Sequence, residues 1–239
     1  FEEGRILKPE EVGEKEIVAI SNFIARIHNL NASEFPPAST PALCLDDYAK
    51  DVEKRIKMLK NCVSKYNTDH NIRKFFYNGG VPLANKLLVN FRKNYLAEEL
   101  VREFPIEQQR LNFGDFGIHN ALVSNKGYIF LDFEYFGRDD PVRELLGFVH
   151  HDKHKDIKKE LRELFVDNYL EKMANPNKIK ERMKIVDPLK GMSFLLTYLN
   201  VLSPVYIKQL EEQSADINSI MTERLEKAKE KIKNIRFFN

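Results

Sequence analysis

Apolar residues recur at helical spacing over most of the chain and at strand spacing in one central stretch. The segment EKEIVAISNFIARIHNL places Ile17, Ile20, Ile24 and Ile27, with Phe23 and Leu30, on one side of an amphipathic helix. LDDYAKDVEKRIKMLKNCVSKY predicts a second helix, with Asp46 and Asp47 where an N-terminus favours negative charge. NIRKFFYN predicts a short helix ended by Asn78, Gly79 and Gly80, and VPLANKLLVNFRKNYLAEELVREF one long helix stopped before Pro105. Residues 31–43 carry three prolines and read as a loop, whereas Pro9 and the two glutamates after it suit a first helical turn. In the centre, QQRLNFGDFGIHNALVS and KGYIFLDFEYF hold short apolar runs around the turn signal SNKG and predict a hairpin. Beyond Asp139-Asp140-Pro141 the pattern is helical again: VRELLGFVHHDK, IKKELRELFVDNYLEKM, roughly 177–202, and 204 to the end. The Asp-Pro pair is expected to turn the chain and to leave a carboxylate capping the next helix. The expected fold class is mainly α with a small β insert, unlike a parallel α/β sheet, which needs strands throughout.

Composition narrows the function classes. The chain has 239 residues, 43% of them apolar, enough to bury a core. Thirty-eight Lys and Arg against 36 acids give a net charge of +2, without the basic excess of a nucleic-acid binder. No apolar run approaches the roughly 18 residues of a membrane span, and no signal segment opens the chain. Cys44 and Cys62 have no metal spacing, so a reduced, cytoplasmic setting is expected. The first residue is Phe rather than Met, which predicts a processed form or a piece of a longer protein.

The polar residues of the central insert are the candidate chemistry. Asp115 lies between Gly114 and Gly117, which permit sharp backbone turns. Asn120 offers an amide oxygen, Asp132 a carboxylate at the end of YIFLD, and Glu134 is expected on the same strand face two residues on. Oxygen ligands of this kind suit a hard cation such as Mg²⁺, and they leave Asp115 to accept or orient a proton. A base beside a Mg²⁺ site is the layout of phosphoryl transfer.

The order Asp115, Asn120 five residues later, hairpin, Asp132 resembles the aminoglycoside phosphotransferase and choline kinase family, small-molecule kinases of protein-kinase-like fold. The family pattern is HGD-x4-N followed by a strand ending in D-x-D or D-x-E. This chain has FGD, with Phe113 where His is usual, and DFEY at 132–135 resembles the choline-kinase version. The helix ending at His28 is similar to the first helix of the family's C-terminal lobe. The resemblance covers most of residues 1–150. It implies that residues 1–239 form the C-terminal lobe, with a hinge remnant at 1–8 and the catalytic loop and metal-binding hairpin at 111–137. The N-terminal β lobe, with its phosphate-covering loop and ATP-pairing Lys, is absent from the chain and is the implied partner. Asp115 is then the catalytic base, Asn120 and Asp132 hold Mg²⁺, and Glu2 and Glu3 lie where the hinge meets ATP. Glu134 and His119 contact the substrate or a second ion. The acceptor is a small-molecule hydroxyl: an amino sugar, a choline-like alcohol or a sugar. A lone lobe is expected to transfer phosphate poorly, because this chemistry depends on positioning.

Blander expectations stand beside these. Glu134 can pair with Arg138 or Arg143, His119 can cap its turn, and HHDKH at 150–154 reads as a solvated helix end, although His150 and His154 would share a helical face. Phe75, Phe76, Phe130, Phe133 and Phe136 read as core. Asp46, Asp47, Asp51, Glu98 and Glu99 would suit a cationic acceptor. Two rival functions are a non-catalytic, pseudokinase-like binding module and a hydrolase built on Asp132 and Glu134, about 7 Å apart on one strand face.

Overall fold

The structure is a computed structural model and describes residues 4–65, 69–213 and 215–235, so Glu2 and Glu3 of the expected hinge lie outside the described residues. The chain forms two compact units, Phe1–Cys44 with Glu103–Ile185, and Leu45–Arg102 with Val186–Asn239.

The first unit holds the β insert. Strand β1 (Arg5–Ile6) pairs antiparallel with β3 (Ala121–Ser124), and β3 pairs antiparallel with β4 (Gly127–Phe130). A separate antiparallel pair joins β2 (Arg110–Asn112) to β5 (Gly137–Asp139). The expected SNKG turn closes the β3–β4 hairpin, with Ser124 opposite Gly127 and its hydroxyl donating to the Gly127 carbonyl. Helix α1 (Glu14–His28) starts where the Gly13 N–H donates to the Glu16 carboxylate at 3.0 Å. It packs on α7 (Lys159–Leu170). Ile17, Ile20 and Ile24 are fully buried as the spacing predicts, but Leu30 falls beyond the helix end and is exposed. Each such isoleucine contributes about 1.5–3 kcal/mol through burial.

Helix α6 (Pro141–His150) is fixed at its start by the two aspartates before it. Asp140 caps it by accepting from the Val142 N–H, and it also pairs with Arg182 at 2.8 Å. Asp139 accepts from the Ala42 and Asp140 N–H groups and pairs with Arg143, yet burial pushes its carboxyl up to about 6. The expected capping role is borne out, and it anchors the chain where it leaves the hairpin.

The second unit is helical: α2 (Leu45–Lys65), α3 (His70–Phe75), α4 (Val81–Lys93), α5 (Ala97–Val101), the later part of α8 (Pro176–Tyr198), α9 (Pro204–Glu212) and α10 (Ile217–Asn234). Three boundaries differ from the sequence expectation. Gly79 and Gly80 do not stop a helix; Phe76–Gly80 is a π-helical turn that carries α3 into α4. The single helix expected over 81–104 breaks at Asn94, and the Leu96 N–H donates to Glu99 to start α5. The helix expected from 204 to the end breaks too, because Asp216 accepts from the Ser219 N–H and caps α10. Polar caps inside an unbroken apolar period set these breaks. Among the described residues, no helix is long and apolar enough to cross a membrane.

The acidic residues of this unit are largely committed to local pairs. Asp46 and Glu53 hold Arg92, Asp46 and Asp47 face Lys50, and Asp51 pairs with Arg55 and accepts from Ser193. Glu99 caps α5. Their charges are therefore offset where they stand, which weakens the expectation of an acidic wall for a cationic acceptor.

Candidate functional site

The site is assembled by one loop and one hairpin. After β2, the Phe113 N–H donates to Glu144 Oε1 at 3.0 Å, and Gly114 turns the chain with φ of +83°. A Cβ on Gly114 would stand 2.6 Å from Cβ of Tyr135, so the loop carrying Asp115 lies directly against the DFEY segment. Asn120, five residues on, donates its amide N–H to the Asp115 carbonyl at 3.0 Å. With the nitrogen so engaged, the oxygen is the group left to meet a cation. The Leu131 N–H donates to the Asn120 carbonyl at 2.8 Å, which places Asp132 next along from that junction. The Asn120 side chain is thus tied to the Asp115 backbone, and the Asn120 backbone to the residue before Asp132.

Asp132 is the only non-glycine residue with positive φ (+65°) among the described residues, and it is exposed. A left-handed Asp is strained, and strain of this kind persists where the surroundings over-determine it, often at a working site. The strand ends at Phe130, and Glu134 lies in the turn that follows rather than on a strand face. This corrects the expectation that Asp132 and Glu134 share one strand face, and it removes the geometric basis of the carboxylate-pair hydrolase. Glu134 first, then Asp132 and Asp115, raise the Tyr135 hydroxyl above its ordinary range. Arg138 binds the Phe35 carbonyl and Gln109, and Arg143 binds Asp139 and Thr40.

Asp115 is flanked by two imidazoles. His119 Nε2 lies 3.6 Å from one carboxylate oxygen and His151 Nε2 lies 3.5 Å from the other. The two rings stack 4.5 Å apart at 9°. His119 first and His151 next hold the Asp115 carboxyl well below the usual carboxylate range, against the opposing effect of burial. His119, expected to contact the substrate or a second ion, faces the Asp115 carboxylate. His151 was not anticipated. Helix α6 ends at His150, so His150 and His154 share no helical face, and it is His151 and His154 that gather beside His119.

Two buried supports were also not legible. Glu144 accepts from the Phe113 N–H through one oxygen and from His28 Nε2 (2.9 Å) through the other, while His28 Nδ1 meets the Tyr169 hydroxyl at 2.8 Å. Burial raises the Tyr169 hydroxyl well above its usual range. Phe113, standing where the family pattern has His, is fully buried and packs its ring on Phe23, Phe116, Phe133 and Phe136 at 4.8–5.7 Å. Phe133 is nearly half exposed, not core as expected, yet it ties the loop after β4 to Phe113. A cavity of about 260 Å³ beside His28, Asn29, Glu107 and Arg110 contains none of Asp115, Asn120 or Asp132.

Two expected outcomes follow from this geometry. Gly114→Ala forces a Cβ into Tyr135 at a positive φ, which is expected to cost about 1–3 kcal/mol of stability. If the site catalyses, the shifted Asp115 loop should also slow turnover roughly 100-fold. Denaturant titration and steady-state rates check both. His154 gives a pH dependence. Its Nδ1–H donates to the Phe148 carbonyl, its Nε2 accepts from the Ile118 N–H, and burial pulls its pKa down to about 3. The unfolded chain protonates this histidine near 6.5 and the folded chain does not, so its contribution is whole above about 6.5 and is lost as pH falls toward 3. Between pH 7 and pH 5 the loss is about 2 kcal/mol. Unfolding free energy should therefore fall more steeply over that interval than in His154→Gln.

No protein-family model matches the chain, and no curated protein matches it. Solved structures do. The choline kinase of Cryptosporidium parvum superposes with a TM-score of 0.61 at 15% identity, over 98% of this chain and 69% of that one. The ethanolamine kinase of Plasmodium vivax gives 0.60 at 14%, over 95% and 64%. A spectinomycin phosphotransferase in complex with ADP and spectinomycin gives 0.55 at 12%, over 96% and 68%. The chain thus spans about two thirds of the length of these proteins. It has the fold of the small-molecule kinases, as the D-x4-N loop and its hairpin implied.

Proposed function

We propose that the chain is the C-terminal lobe of a phosphotransferase that moves the γ-phosphoryl group of ATP to a hydroxyl of a small molecule. The observation that carries this reading is the hydrogen-bonded link from the Asp115 carbonyl through Asn120 to Leu131, with a left-handed Asp132 next along the chain. Asp115 orients the acceptor hydroxyl and takes its proton as the oxygen attacks the γ-phosphorus. The bond from that phosphorus to the bridging oxygen breaks, and ADP leaves. The Asn120 amide oxygen and the Asp132 carboxylate form an all-oxygen donor set that fits Mg²⁺, which when bound offsets charge on the phosphates. His119 and His151 keep Asp115 ionised, and Glu134 with Tyr135 borders the acceptor side.

The neighbours' own acceptors support an alcohol or amino-sugar acceptor: choline, ethanolamine and spectinomycin are named for them, and adenine nucleotides occupy one of them. In this reading a further lobe, joined through Glu2 and Glu3, covers the nucleotide, and the protein works in the cytoplasm, where ATP is supplied. The test is calorimetric titration of the full-length gene product with ADP, with and without Mg²⁺. Binding that requires Mg²⁺ supports the reading. Absence of nucleotide binding under both conditions overturns it in favour of a non-catalytic binding module.

A further inference from the structure

Beside Asp115, three imidazoles converge that phosphoryl transfer does not require. One ring nitrogen from each of His119, His151 and His154 lies within 4.8 Å of the others. We propose that these three histidines bind a divalent transition-metal ion of the Zn²⁺ type, with Asp115 as the carboxylate behind it.

The hydrogen bonds set the ring tautomers for this role. His154 donates Nδ1–H to the Phe148 carbonyl at 2.8 Å, so its Nε2 carries the lone pair. A metal-bound imidazole characteristically gives its other N–H to a carbonyl or carboxylate. His119 shows the carboxylate version. Its Nε2 faces Asp115, while its Nδ1 is buried without a hydrogen-bond partner. An orphaned buried nitrogen carries an unmet desolvation cost, which a metal bond would remove. His151 likewise turns Nε2 to Asp115, and its Nδ1 accepts from the Lys153 N–H at 3.1 Å. Coordination through Nδ1 of His119, Nδ1 of His151 and Nε2 of His154 therefore leaves both N–H groups on Asp115. Two backbone donors, Lys153 N–H and Ile118 N–H, are displaced.

Gly117 makes room for the cluster. A Cβ there would stand 2.6 Å from His119 Nδ1 and 2.7 Å from His154 Nε2, in the space the two nitrogens face. Three imidazoles with a fourth position left for water form a ligand set that zinc accepts. No carboxylate need ligate directly, which keeps this site chemically distinct from the all-oxygen set of Asn120 and Asp132.

The experiment is calorimetric titration of the full chain with Zn²⁺, repeated for His119→Ala and His151→Ala, with thermal melts to confirm that both variants fold. Both positions are half-buried, so the substitutions are tolerable. Saturable binding that weakens roughly tenfold or more in each variant supports the site. Absence of saturable binding, or affinity unchanged in both variants, overturns it. Saturable binding in a protein that transfers no phosphate still upholds the metal site, so its outcome is separable from that of the proposed function.

Discussion

Asp115→Asn in the full-length protein is expected to reduce phosphoryl transfer by about 10³-fold, within the range for loss of a general base. The substitution keeps the side chain's shape, so folding should be unaffected. It removes the anion that His119 and His151 face, and with it the oxygen proposed to accept the hydroxyl proton. The chemical step should bear the loss. Nucleotide affinity should change little, because Asn120 and Asp132 are untouched. Steady-state rates against acceptor and ATP concentration check this. A variant that keeps more than about a tenth of the wild-type rate would remove Asp115 from the chemistry.

Glu144→Ala is expected to cost about 3–5 kcal/mol of stability, the largest structural effect in the first unit. Both carboxylate oxygens are used, one by the Phe113 N–H and one by His28, and the residue is buried. Alanine leaves the His28 Nε2 and the Phe113 N–H unpaired in the core, and each costs its desolvation. Because Phe113 immediately precedes Gly114 and Asp115, the Asp115 loop should loosen as well. Urea titration measures the first effect, and hydrogen exchange at residues 113–116 the second. Glu144→Gln, which retains an acceptor, should lose less. A cost under about 1 kcal/mol for alanine would mean that Glu144 does not anchor the loop.

What could be read from sequence was what is local. The spacing Asp115-x4-Asn120, the SNKG turn and the short apolar strands lie within twenty residues, and each imposes its geometry through neighbouring backbone. The helix carrying Ile17, Ile20 and Ile24 was equally legible, because one apolar stripe fixes both its type and its buried face. What failed depended on distant partners or on single caps. His151 and His154 reach Asp115 and His119 from beyond α6. Glu144 reaches Phe113 across thirty-one positions. The Leu96–Glu99 and Asp216–Ser219 caps interrupt helices whose apolar period runs on unbroken. Glu134 was misplaced for a different reason. A strand pattern was extended two residues past the point where Asp132 turns left-handed and ends the alternation.

The most direct test of the central claim is transfer of labelled phosphate from γ-labelled ATP by the full-length protein. It is run with Mg²⁺ against choline, ethanolamine and an aminoglycoside, beside Asp115→Asn and Asp132→Asn. The account predicts Mg²⁺-dependent labelling of at least one small hydroxyl compound, abolished in both variants. Transfer that persists in both variants would contradict it.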